Sequence, residues 1–207
     1  MLIQSTLCLA AQEIASIQTR YAKKGLTLSQ AALCGAREFI EWNHYPKNDL
    51  SDPDSGYEFY YHAHTADEMQ DGEHGHFHLF KRNGAEFHHL IGIALNQQGL
   101  PVRLFTTNQW VTGEKLISAD LVLDELRNFD MATKGRLGPV SRWVSALTKL
   151  FFTDMKVLIA ERDHKITQLE IDCGDLKSAL NSREHHVLTE SKIDLLDRLS
   201  QYLLPAN

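Results

Sequence analysis

Cysteine is scarce in this chain: Cys8, Cys34 and Cys173 are the only three among 207 residues. An odd number at wide spacings builds neither a disulfide framework nor a CxxC motif, and reads as three reduced, mostly buried thiols of a cytoplasmic protein. Proline and glycine are also few, 5 and 12, which excludes collagen-like and low-complexity chains. No run approaches the ~18 apolar residues of a membrane span. The apolar stretch Leu7 to Ala11 has no basic lead and is closed at once by Gln12 and Glu13, so neither a secretory leader nor a membrane partner is expected. A basic excess is lacking as well. The net charge of −6 argues against nucleic acid as a partner. There is no Walker loop, no GxGxxG and no GxSxG, so phosphate cradles and nucleophile elbows find no support.

What is present is an ordinary globular composition, 43% hydrophobic and 23% charged. The length suits one domain, or one domain with a helical extension. Leu7, Ala11, Ile14, Ile17 and Tyr21 recur at helical steps and predict a helix over 4–23. Thr27 with Gln30 has capping-box spacing and opens a second helix, with Leu28, Ala31, Gly35, Phe39 and Trp42 as its buried stripe, ended before Pro46. Residues 47–56 read as a turn. The period then changes to two. Strands are predicted at 56–64, 74–81, 87–96 and 101–107, the last extended in one reading by Trp110 to Thr112. Asn83-Gly84 is a two-residue hairpin signal, and the short connections make the sheet an antiparallel meander.

From Ser118 the helical period returns. Val122, Leu126 and Phe129 share a face, Pro139 opens a helix to about Phe152, and Met155, Ile159, Arg162, Ile166, Leu169, Cys173, Leu176 and Leu180 make a heptad-like stripe. A last helix is expected over roughly 190–204. The expected fold is therefore α+β: a four- to five-stranded antiparallel meander packed by N-terminal helices and closed by C-terminal helices. Residues 1–152 would form the α+β domain, with its His-rich sheet at about 56–112. Residues 153–207 would form a helical extension whose stripe builds a homodimer.

Histidine is the abundant residue. Seven of the 11 lie between His62 and His89, where about 2% usage would give fewer than one. Residues two apart on a strand share a face, so His62 joins His64, and His74 joins His76 and His78. Symmetric closure of the intervening loop sets His64 opposite His74 and His62 opposite His76. A turn at Asn83-Gly84 then pairs His78 with His89, His76 with Ile91 and His74 with Ile93. One face would carry His62, His64, His74, His76, His78 and His89, bordered by Phe80, Phe87, Ile91 and Ile93. The other would pack through Phe59, Tyr61, Ala63, Phe77 and Leu79. Imidazoles brought together in this way suit a divalent transition metal such as Zn, Fe or Mn. The expected ligands are His62, His64, Glu68, His74, His76 and His78. Glu73 is a candidate base, His76 a catalytic imidazole, and Arg103 a holder of an anionic group on a small-molecule substrate. A metal-free catalytic histidine pair and a solvent-facing, functionless array remain alternatives.

Three resemblances accompany this reading. The spacing Gly56-x5-His62-x-His64-x3-Glu68-x6-Gly75 resembles the first cupin motif, which implies metal ligation by His62, His64 and Glu68; a second cupin motif is not found. The run His74-Gly-His76-Phe-His78-Leu-Phe80 looks like the signature of histidine-triad nucleotide hydrolases and transferases, which implies His76 as a nucleophile toward phosphate. The segments HGHFHLF and LFTTNQWVTGE are similar to those of an uncharacterised bacterial family of about this length. The favoured function is a metal-binding protein, with a metalloenzyme as its stronger form. The alternatives are a histidine-triad-like hydrolase and a non-enzymatic interaction protein using the helical tail.

Overall fold

The computed structural model describes residues 2–36, 38–65 and 67–203. Helix α1 spans Leu2–Ala22 and buries Ala10, Ala11, Ile14 and Ile17. Helix α2, Leu28–Ala32, opens with the expected reciprocal cap. The Gln30 backbone N–H donates to the Thr27 hydroxyl at 3.2 Å, and the Thr27 N–H donates to the Gln30 side chain at 2.9 Å. The helix does not continue to Trp42. Cys34 and Gly35 both take left-handed backbone, with φ of 55° and 80°, and this ends it within two turns. Strand β1, Tyr45–Ser51, replaces the expected turn. Its Pro46 is tolerated because β1 is an edge strand, where a missing N–H need not break a ladder.

Strands β2 (Tyr57–His62), β3 (Glu73–Asn83), β4 (Glu86–Asn96) and β5 (Pro101–Thr107) follow as an antiparallel meander. Residues 110–112 do not extend β5. They form the short helix α3, Gln109–Thr112, capped by the Asn108 side chain. Then come α4 (Ala119–Arg127), α5 (Gly138–Leu150, with Pro139 in its first turn), α6 (Phe152–Cys173) and α7 (Leu176–Leu180). The next element corrects the strand count. Val187–Lys192, expected within the helical tail, is strand β6 and pairs with β5. The sheet therefore has six strands, in chain order, rather than four or five. Helix α8, Leu195–Leu203, closes the described chain.

The helices gather on one face of the sheet, where Phe59, Tyr61, Phe77, Leu79, Ile91, Ile93 and Leu104 are fully buried against the helical layer and Trp143 stands among them. The Tyr57 hydroxyl donates to the Glu125 carbonyl on α4, and Thr189 donates to the Leu158 carbonyl on α6, which ties both ends of the sheet to that layer. The α6 stripe is used within the chain. Met155 and Ile159 join the main core, while Ile166 and Leu169 pack with Ala179, Leu180 and Leu188.

Candidate metal centre

Residues paired directly across neighbouring strands share a face. His62 pairs with His76, His76 with Ala94, and Ala94 with Arg103. The adjacent rung runs Tyr60, His78, Gly92, Phe105 and Glu190. These rungs lie on the face opposite the helices. β4 contributes only small residues to them, and that is what makes room. A Cβ on Gly92 would fall 2.3 Å from the Phe105 ring. Without it, the ring lies over β4 and meets His76 and His78 edge-on, with centroids 5.3 and 5.6 Å apart.

Two bulges set the membership of this face. Glu73 pairs with Asn96 and Gly75 with Leu95, so His74 is the extra residue. Its ring turns away, its Nδ1 meets the Tyr61 hydroxyl at 2.8 Å, and it stacks on Phe39. His74 thus leaves the array, and Glu73 is turned toward it. The second bulge is at Leu90. The hairpin turn is Gly84-Ala85, with Asn83 paired to Glu86, one residue beyond the expected position. Phe80 then meets His89, but Leu79 meets Ile91 and His78 meets Gly92. Ile91 and Ile93 consequently face the core instead of bordering the histidines. His89 keeps its side, and its Nε2 lies 2.9 Å from His78 Nδ1.

One ligand atom each from His62, His76 and His78 lies within 4.8 Å of the others, and this triad could hold a metal ion. All three side chains are buried, with 8%, 5% and 2% exposure. Burial first, and the neighbouring imidazoles second, press their protonation down: His62 to about 3, and His76 and His78 well below the ordinary range. The rings are therefore neutral at physiological pH, the form that binds metals. His62 Nε2 and His76 Nε2 stand 2.7 Å apart. Two lone pairs tolerate that separation only with a proton or a cation between them. Ligands at 2.0–2.1 Å on a tetrahedral ion sit about 3.3 Å apart, so a small parting of the rings fits one. His76 Nδ1 is buried and without a hydrogen-bond partner, which costs about 1–3 kcal/mol whether Nε2 meets a proton or a cation.

The surroundings sort the remaining candidates. His64 follows the end of β2, and its ring lies 5.0 Å from that of His62 and 5.1 Å from that of His76. Glu68 is half-exposed, 3.8 Å from His64 Nδ1, and reaches the triad only through that ring. Arg103 donates to both oxygens of Glu73, at 2.7 and 2.9 Å, and to Glu190 at 2.9 Å. The Glu73 side chain is only 4% exposed. Two carboxylates against one guanidinium leave an excess negative charge at the end of the histidine rung. His89 Nδ1 meets the Thr107 hydroxyl at 3.2 Å, so the contact chain from His78 ends on a hydroxyl that can accept a hydrogen bond. Nearby, burial pushes the Glu114 carboxyl up to about 7.

His44 escaped the sequence reading. It stacks on Tyr60 at 3.7 Å and stands edge-on to His62 at 5.7 Å, with Nδ1 2.8 Å from Asp49. The signal was the alignment of Tyr45 with Tyr61, which brings the preceding His44 beside His62. It was hidden because 47–56 read as a turn.

The chain belongs to a family described as a domain of unknown function (DUF6969), whose model matches residues 8–193. No curated protein and no solved structure matches it. Among the described residues, no helix is long and apolar enough to cross a membrane.

Proposed function

We propose that the chain is a metal-binding protein of the metalloenzyme type, in which His62, His76 and His78 hold one divalent transition ion, Zn, Fe or Mn. The observation that carries this reading is the convergence of three desolvated, neutral imidazoles beside a carboxylate-rich edge. Three protein ligands with a position left for substrate is the pattern of catalytic rather than structural sites. A bound ion supplies Lewis acidity at that position. His89 positions His78: a proton on His78 Nδ1 donates to His89 Nε2, which leaves His78 Nε2 as the donor to the ion. Phe105 keeps water from the inner side of His76 and His78. Glu73 and Arg103 act as a fixed pair that orients the rung end, since each already engages the other bidentately. His64, at the rim, is the imidazole nearest to serving as a fourth ligand.

The reading is set against the histidine-triad alternative by charge. A phosphate at this face would meet the carboxylates of Glu73 and Glu190, to which the guanidinium of Arg103 is already committed. Elemental analysis of untagged protein tests the proposal. One zinc, iron or manganese per chain is expected in the wild type, and loss of it in a His62→Ala/His76→Ala variant that retains its far-UV spectrum. Equal, substoichiometric metal in both would overturn it.

A further inference from the structure

A cleft of about 770 Å³ opens beside His64, with Phe39, Ile40, Trp42, Met69 and Gln70 also in its walls. That volume lies within the range of small-molecule sites. The His64 ring connects this lining to the triad, with its centroid 5.0 Å from that of His62 and 5.1 Å from that of His76. One wall is held at a conformational cost. Trp42 has a φ of 67°, a region a bulky residue avoids, and its side chain remains 53% exposed, so no core burial offsets the strain. Its backbone N–H is pinned to the Ala63 carbonyl at 2.9 Å, and one face of its indole stacks on His64 at 4.3 Å and 14°. Glu41 supplies the free charge of the cleft, Glu73 being paired with Arg103, and no Lys or Arg lines it among the described residues.

We propose that this cleft binds a flat aromatic molecule carrying a neutral or cationic polar group, a phenol or an aromatic amine rather than an aromatic acid, with its ring against the indole of Trp42. The inference rests on the metal-centre reading for where the polar group points, and on the cleft alone for binding. An aromatic wall gives stacking, and acidic surroundings with no free cation reject carboxylates and phosphates.

Ligand-observed NMR titrations of zinc-loaded and chelator-treated protein with tyramine, phenol, benzoate and phenyl phosphate test it. Tyramine and phenol are expected to bind about tenfold or more tightly than the two acids. Trp42→Gly should weaken tyramine about tenfold. The same variant should leave the urea midpoint unchanged or raised, because glycine accepts the left-handed backbone. Acids binding as well as tyramine, no binding by any probe, or tyramine affinity indifferent to Trp42→Gly would each overturn the proposal. Failure of the metal reading is separable. It shows as absent zinc uptake in the same samples, with tyramine affinity still dependent on Trp42.

Discussion

Mild acid should destabilise the metal-free protein well above the pH at which carboxylates protonate. Burial holds the imidazoles of His62 and His89 down to about 3, and those of His76 and His78 well below their ordinary value. In the unfolded chain each returns to about 6.5. The lowered folded values fix the sign. Above about pH 6.5 both states are neutral and these groups leave stability unchanged. Below it the unfolded chain takes up a proton at each imidazole while the folded chain takes up none, so stability falls with pH until the folded rings themselves titrate. At pH 5.5 each ring accounts for about 1.4 kcal/mol and the four together for about 5.6 kcal/mol, against a typical total of about 5–15 kcal/mol. Urea unfolding of chelator-treated protein at pH 7.5, 6.5 and 5.5 measures this. The stability should drop with a slope approaching four protons, and the midpoint should move by roughly 2 M between the extremes. His89→Gln should remove about one proton from the slope. A stability that is flat between pH 7.5 and 5.5, or a slope below one proton, would refute the reasoning.

Gly92→Ala should lower stability by about 1–3 kcal/mol, because the added methyl meets the Phe105 ring; thermal melts should show the loss, and Gly92→Ala/Phe105→Leu should recover part of it. Arg103→Met should cost about 3–5 kcal/mol in urea by leaving Glu73 buried and unpaired, and Arg103→Met/Glu73→Gln should recover most of that; equal losses in the single and double variants would show that the ion pair is not the cause.

The long helices and the central strands were legible because burial writes a period into the sequence. The stripe of α1 and the aromatic alternation of β2 and β3 are such periods, and the Thr27 cap is a local contact with a local signature. The pairing of His62 with His76 followed from period two together with symmetric closure of the loop between β2 and β3. What could not be read was set by non-local geometry. A bulge leaves no mark on composition, so the turning-out of His74 and the shift at Leu90 were invisible, and with them the move of Ile91 and Ile93 to the core. β6 is a polar strand of six residues whose only reason to be extended is the free edge of β5, a partner 83 residues away at Thr106 and Thr189. β1 was hidden by turn-forming residues around a proline, and His44 was hidden with it.

That distant partnership has a consequence for how the chain is made. At about 5–20 residues per second, the ribosome needs roughly 4–16 s to travel from β5 to β6. During that interval the nascent meander ends on an unpaired strand, the kind of border at which chains stick to one another. Arg103 stands in the middle of that border, and Glu190 arrives with the last strand to meet it. Until then the guanidinium that ends between two carboxylates has only Glu73 to meet, and a charge stands on the open border.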